Sequence, residues 1–173
     1  IKTCRPTLFF ALPTVYTALI KHPSAATADL SSVRLCISAA EVLSGDVFTA
    51  WKSRFGHEIM EGLGSTEVLH IYLSNTLDQK KLGSAGKRVP GYELKLTDRD
   101  GQPVGPGDEG ILWIRGDSDA PCYWYRTDKS ADTTRGDRIS TGDRFVVDQD
   151  GFYFFRCAAD CRHTVSAQCG QQQ

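Results

Sequence analysis

The sequence predicts an α/β fold in which a parallel β-α-β portion is followed by a β-rich portion. Two observations carry this. Between Arg34 and Glu61 a short apolar strand, an amphipathic helix and a second strand follow one another, an order that argues for parallel pairing through a helical crossover. After Gly83 the pattern changes to alternating segments separated by turn residues, the mark of β-strands with one buried face.

Each element has its own reason. Pro13 suits the first turn of a helix, so residues 14–21 read as a short helix that Pro23 stops. The small polar stretch 24–32 reads as a loop or the start of a weak helix, and Arg34–Ser38 as a short buried strand. Ser44 suits an N-cap; Val47, Phe48, Trp51 and Phe55 recur at helical spacing, and Gly56 closes the helix. A strand over Glu58–Glu61 then runs into a turn whose glycines, Gly62 and Gly64, are expected to take positive φ and let the backbone approach a ligand. Glu93–Thr97 and Gly110–Arg115 alternate, with a turn over residues 98–101 after the first. Asp128 or Ser130 is expected to cap one helical turn ending at Thr134. Phe145–Asp148 and Phe152–Phe155 form a hairpin through Asp150-Gly151.

The composition shift places a boundary near residues 80–86, giving an α/β part over residues 1–82 and a β-rich part over 83–156. Residues 157–173 hold one large aliphatic side chain, Val165, too little apolar surface to offset the entropy of ordering them. That tail is expected to stay unpacked.

A chain of 173 residues with 40% hydrophobic and 24% charged residues can bury a core, and its net charge of −1 supplies no basic field for nucleic acid or an anionic membrane. No apolar run is long enough to span a bilayer, and no signal-like segment opens the chain, so a cytoplasmic setting with reduced thiols is expected. Cys4, Cys36 and Cys122 sit in apolar or motif-like context and are expected to behave as small hydrophobes. Cys157, Cys161 and Cys169 with His163 could be read as zinc ligands, but their spacing matches no ligand pattern, so no metal is expected there.

The chemistry concentrates in Glu61-Gly-Leu-Gly-Ser-Thr-Glu-Val-Leu-His70. A hydroxyl pair, Ser65 and Thr66, followed by the carboxylate of Glu67 suits a nucleotide phosphate and its Mg²⁺, which prefers one or two carboxylates together with phosphate oxygens. The plain alternative is a Gly-Ser-Thr turn that only joins two elements.

Leu63-Gly-Ser-Thr-Glu67 resembles the Tyr-Gly-x-Thr-Glu motif of the acyl-adenylate-forming superfamily, and Val68–Asn75 is most similar to its benzoate and hydroxybenzoate CoA ligase branch. Val33–Leu43, Gly83–Tyr92 and Ser140-Thr-Gly-Asp-Arg144 resemble further segments of that family in its order. The resemblance implies part of the large domain of an adenylate-forming ligase, the β-α-β portion followed by a distorted β-barrel portion. It implies ATP, Mg²⁺ and coenzyme A as reactants or cofactors, a small aromatic carboxylic acid as substrate, and no nucleic-acid or membrane partner; it leaves homo-oligomerisation open. Thr66 and Glu67 would be catalytic, with Glu67 linked to the metal. Ala39, Ala40, Glu41, Leu63, Gly64, Ser65 and Asp143 would hold the nucleotide, Asp143 through both ribose hydroxyls. Tyr16, His70 and Ile71 would line the acyl pocket, although a histidine in an apolar run is more commonly a satisfied core residue.

Departures from the family matter equally. Leu63 stands where the family has an aromatic ring, and Ala158 where it has a ribose-binding arginine. The family's phosphate loop would lie before Ile1, and its C-terminal domain beyond the tail, so this stretch alone is expected not to turn over. A fatty acyl ligase, a carrier-protein adenylation domain, and a non-catalytic nucleotide-binding remnant stay open as alternatives.

Overall fold

A computed structural model describes residues 1 and 3–158. Two five-stranded sheets share one packed interface. The first contains β1 (Leu8–Ala11), β2 (Leu35–Ser38), β3 (Ile59–Gly64), β4 (Ile71–Ser74) and β5 (Lys87–Arg88), in that spatial order. β1, β2 and β3 are parallel, and β4 and β5 add in antiparallel sense. Helices α1 (Pro13–Lys21) and α2 (Gly45–Phe55) form the crossovers.

α2 forms where the sequence places it because its local signals agree. The Ser44 hydroxyl accepts a hydrogen bond from the Val47 amide at 3.3 Å, and Gly56 ends the helix at φ 75°. Asp46 lies in its first turn and Lys52 and Arg54 in its last, as the helix dipole favours. Its apolar face carries Trp51, fully buried with Tyr16, Leu30, Val33, Cys36, Leu43 and Ile59.

The second sheet contains β6 (Tyr92–Thr97), β7 (Glu109–Gly116), β8 (Thr134–Arg135), β9 (Arg138–Val147) and β10 (Tyr153–Ala158). Its order is β10-β9-β7-β6, with β8 on β9, and every pair is antiparallel. Helix α3 (Thr127–Thr133) leads into β8. The inner face presents Leu96, Leu112, Ile114, Ile139 and Phe145 to Val68, Tyr72, Leu73 and Ala85, making one core common to both sheets.

Residues 75–86 fasten the sheets. Buried Asn75 donates through Nδ2 to the Ser84 carbonyl (2.8 Å) and accepts at Oδ1 from the Lys81 amide (2.9 Å). The Ala85 amide donates to Tyr153 O and the Tyr153 amide to Gly86 O, at 2.8 and 2.9 Å. Gly86 has φ 94°, and a Cβ there would fall 1.9 Å from the Ser74 carbonyl carbon, so only glycine fits.

Several expectations change. β3 continues through Gly64, so the glycine-punctuated stretch is strand, and neither Gly62 nor Gly64 takes a positive φ. β1 was hidden in the apolar run that leads into α1. α3 starts at Thr127, with Arg126 at the N-cap position and no side-chain cap; Ser130 Oγ instead donates to the Arg126 carbonyl and accepts from the Tyr123 amide. Cys36 is buried, but Cys4 and Cys122 are exposed and are not small core hydrophobes. The tail does not begin at residue 157: β10 extends past a bulge so that Cys157 pairs with Arg144 and Ala158 with Asp143. The expectations for residues 159–173 lie outside the described residues.

Candidate active site

The parallel strands align Ala11, Ser38 and Glu61 in one row, where β1 and β2 end and β3 runs on through Gly64. Crevices at the carboxyl ends of parallel strands are where open α/β sheets bind ligands. Ala39 is buried, while Ala40 and Glu41 are exposed, and Ala40 takes φ 70°, unusual for a residue with a Cβ. The loop is tied back to β3, because the Leu43 amide donates to Glu61 Oε1 at 3.2 Å. Burial pushes the Glu61 carboxyl up to about 7, only partly opposed by that hydrogen bond.

The glycines of β3 make room for the protein's own chain. A Cβ on Gly62 would lie 2.9 Å from Ile71 Cδ1, and one on Gly64 2.4 Å from the His70 carbonyl oxygen. Leu63, between them, pairs with Leu73 and packs against the shared core. The Ser65 amide donates to His70 O at 3.3 Å. Residues Thr66–Val68 then form a single 3-10 turn, closed by Leu69 at φ 74°.

That turn is held from the second sheet. The Val68 carbonyl accepts from Ser118 Oγ (2.8 Å) and the Tyr92 hydroxyl (3.1 Å), and the Glu67 carbonyl accepts from the Ala120 amide (2.7 Å). Thr66 is exposed and Glu67 half-buried. The Tyr123 hydroxyl donates to Glu67 Oε1 at 2.5 Å, and this bond more than any other contact holds the Glu67 carboxyl below the usual range. A cavity of about 190 Å³ lies against Thr66, Glu67, Cys122, Tyr123 and Trp124.

Asp143 follows Gly142, which has φ 71°, and its amide donates to Thr141 Oγ1 at 3.1 Å. Among the described residues its carboxylate accepts no hydrogen bond, and burial raises its pKa. The buried Tyr72 phenol lies within electrostatic reach of both Asp143 and Glu67; burial first, then each carboxylate, pushes its pKa upward.

The acyl-pocket expectation changes at one position. Tyr16 is fully buried, edge-on to Trp51 with ring centroids 4.7 Å apart, and its hydroxyl faces the carbonyls of Ile37 (2.9 Å) and Phe9 (3.1 Å). It pins β1 to β2 in the core and offers no wall to a ligand. His70 is exposed, not a core residue, and Ile71 is half-buried over Gly62. The ring facing His70 belongs to Phe10, at 6.4 Å between centroids and 53% exposed. Alternation along Leu8–Ala11, with Phe9 turned inward and Phe10 outward, is the sequence signal that could have found it.

No group of three His, Cys, Asp or Glu side chains stands ready to hold a metal ion among the described residues. A single ionised carboxylate, Glu67, nonetheless fits Mg²⁺, which takes most of its ligands from water and phosphate oxygens. No helix among the described residues is long and apolar enough to cross a membrane.

Residues 1–124 match the family described as AMP-binding enzyme. The chain belongs to that family. Among curated AMP-binding enzymes it is 39% identical to a benzoate–CoA ligase of Thauera aromatica over 163 residues, covering 94% of this chain and 31% of that protein. It is 40% identical to a 4-hydroxybenzoate–CoA/benzoate–CoA ligase of Rhodopseudomonas palustris, covering 87% of this chain and 28% of that one. The crystal structure of the anthranilate CoA ligase AuaEII in complex with anthranoyl-AMP superposes with a TM-score of 0.86 at 41% identity, over 91% of this chain and 30% of that one. A benzoate CoA ligase from Burkholderia xenovorans LB400 gives a TM-score of 0.84 at 39% identity, over 91% and 32%. The chain thus spans about a third of the length of the relatives it matches, and its fold is that of the adenylate-forming ligase large domain in part.

Proposed function

We propose that this chain is the central part of an aryl-CoA ligase. The observation that carries the reading is the Thr66–Val68 turn, which sets Thr66 and a Glu67 carboxylate held by the Tyr123 hydroxyl against a cavity of about 190 Å³. An aromatic carboxylate oxygen attacks the α-phosphorus of ATP; the bond to the β-phosphate bridging oxygen breaks, giving aryl-adenylate and pyrophosphate. The thiol of coenzyme A then attacks the acyl carbon and AMP leaves, giving the thioester.

Both steps bring anions together, so the protein's work is positioning and charge neutralisation. Asp143 accepts the ribose hydroxyls with its two oxygens. Ala39, Ala40 and Glu41 bound the adenine side together with Gly64 and Ser65, and Thr66 contacts phosphate. Glu67 would hold Mg²⁺, which when bound screens the phosphate charge. Phe10, His70 and Ile71 form the aryl slot, His70 being the polar anchor for the carboxylate. The relatives named above act on benzoate, hydroxybenzoate or anthranilate, which supports an aromatic acid here.

The test uses the intact ligase. Pyrophosphate release is expected with benzoate, hydroxybenzoates or anthranilate and not with long-chain fatty acids, and Glu67→Gln is expected to lower it by two orders of magnitude or more. Equal rates with fatty acids would sink the aryl reading. One observation favours a second reading, a non-catalytic nucleotide-binding remnant: Ala158, a side chain without charge, stands directly across from Asp143. Tight binding of an aryl-adenylate analogue without pyrophosphate release would select it.

A further inference from the structure

The loop between β7 and α3 reaches back to the Thr66–Val68 turn and touches it at three points. Ala120 donates its amide to the Glu67 carbonyl, Ser118 its hydroxyl to the Val68 carbonyl, and Tyr123 its hydroxyl to Glu67 Oε1. The first two fix the backbone of the turn. The third acts on the carboxylate side chain of that turn.

Tyr123 is itself anchored from the far side. Its amide donates to Ser130 Oγ at 2.9 Å, and Lys129 Nζ lies 4.9 Å from its ring centroid. Its neighbours Trp124 and Tyr125 are 82% and 89% exposed, whereas Tyr123 is turned in against the cavity. A ring held by its own backbone and by a cation on its face presents the hydroxyl in one direction. A glutamate has three rotatable bonds, so a fixed donor on one oxygen removes most of the freedom of the other.

We propose that Tyr123 is a positioning residue for Glu67, orienting its carboxylate toward the phosphate end of the nucleotide. This rests on the reading of Glu67 given above. Tyr123 touches no reacting atom; it acts through Glu67 and ties the orientation of that side chain to the ordering of residues 116–130.

The prediction separates orientation from general stability, because an effect routed through Glu67 is felt only when the divalent cation is present. In the intact ligase, calorimetric ATP affinity is measured with and without Mg²⁺ for wild type, Tyr123→Phe, Glu67→Gln and the double variant. Tyr123→Phe is expected to cut the Mg²⁺-dependent gain in ATP affinity about tenfold, the size of one lost hydrogen bond to a charged group, and to leave affinity without Mg²⁺ unchanged. In the Glu67→Gln background it should add nothing further. Tyr125→Phe, which removes a hydroxyl from an exposed ring, is expected to behave as wild type. Should Tyr123→Phe melt, Ser130→Ala loosens the same ring from behind and is expected to show a smaller loss of the same kind. An undiminished Mg²⁺ gain in Tyr123→Phe, or additive losses in the double variant, overturns the proposal. A Mg²⁺ gain that survives Glu67→Gln overturns instead the role given to Glu67.

Discussion

A Cβ at Gly64 would sit 2.4 Å from the carbonyl oxygen of His70, well inside contact distance of backbone that cannot move alone. The turn that carries Thr66 and Glu67 leaves β3 at this point, so the same close approach sets the phosphate end of the site and the position of His70. Gly64→Ala is therefore expected to cost about 2–3 kcal/mol by overpacking and to abolish adenylation. Gly105 has ordinary φ and open space around it, and Gly105→Ala should be neutral or slightly stabilising. Equal denaturant midpoints for the two variants would refute this account.

Glu61 makes stability fall as pH rises. Its carboxyl sits at about 7 in the fold against an ordinary 4.5. Below 4.5 it is protonated in both states; between 4.5 and 7 the folded protein keeps a proton that the unfolded chain has released. Stability from this group is thus full below the lower value and lost on passing the upper one, by at most about 3 kcal/mol. Glu61→Gln should flatten the decline across that window. Parallel pH profiles of urea unfolding for variant and wild type would show the premise to be wrong.

Ala40 holds a left-handed backbone at φ 70° without being glycine. Such a conformation costs an L-residue about 1 kcal/mol, so Ala40→Gly should stabilise the protein by roughly that amount, less the added entropy of the unfolded glycine. Thermal unfolding reads the difference, and a clear loss of stability would mean the loop is held by contacts to the Ala40 methyl.

Ala158 and Asp143 are direct partners across β10 and β9. Side chains so placed have Cβ atoms about 5 Å apart on one face of the sheet, close enough for a long cation to reach the carboxylate. In Ala158→Arg the Asp143 carboxyl should titrate lower, and AMP should bind roughly tenfold more tightly through a second ribose contact. NMR titration of Asp143 and calorimetry with AMP check the two halves separately; no movement in either would mean that residue 158 does not act on Asp143.

How much of this was legible depended on whether a signal was local. The cap, spacing and closing glycine of α2 all act within one helix, and its start, buried stripe and end could be read directly. The order of motifs likewise singled out Thr66 and Glu67 on a turn after a strand, and Asp143 without assigning it to the long strand β9 that carries it. It could not give side-chain direction: Tyr16 sits in a segment resembling a pocket wall, yet its ring packs edge-on against both Phe9 and Trp51 in the core. β1 escaped notice because four residues of parallel strand have no period that separates them from the apolar run before α1. Tyr123 escaped because nothing near it in sequence announces a partner at residue 67.

That distance along the chain has a consequence for how the protein comes to exist. Ser118 and Tyr123 meet the Thr66–Val68 turn at sequence separations of 50 and 56 residues. Each such contact closes a long loop whose entropy must be lost before the contact returns anything. α2 and its neighbouring strands can form from nearby residues, but the turn acquires its final shape only after β6 and β7 have docked. The chemically decisive geometry is thus among the last things to be made during folding, and a nascent chain halted before Tyr123 would carry Thr66 and Glu67 without yet possessing a site.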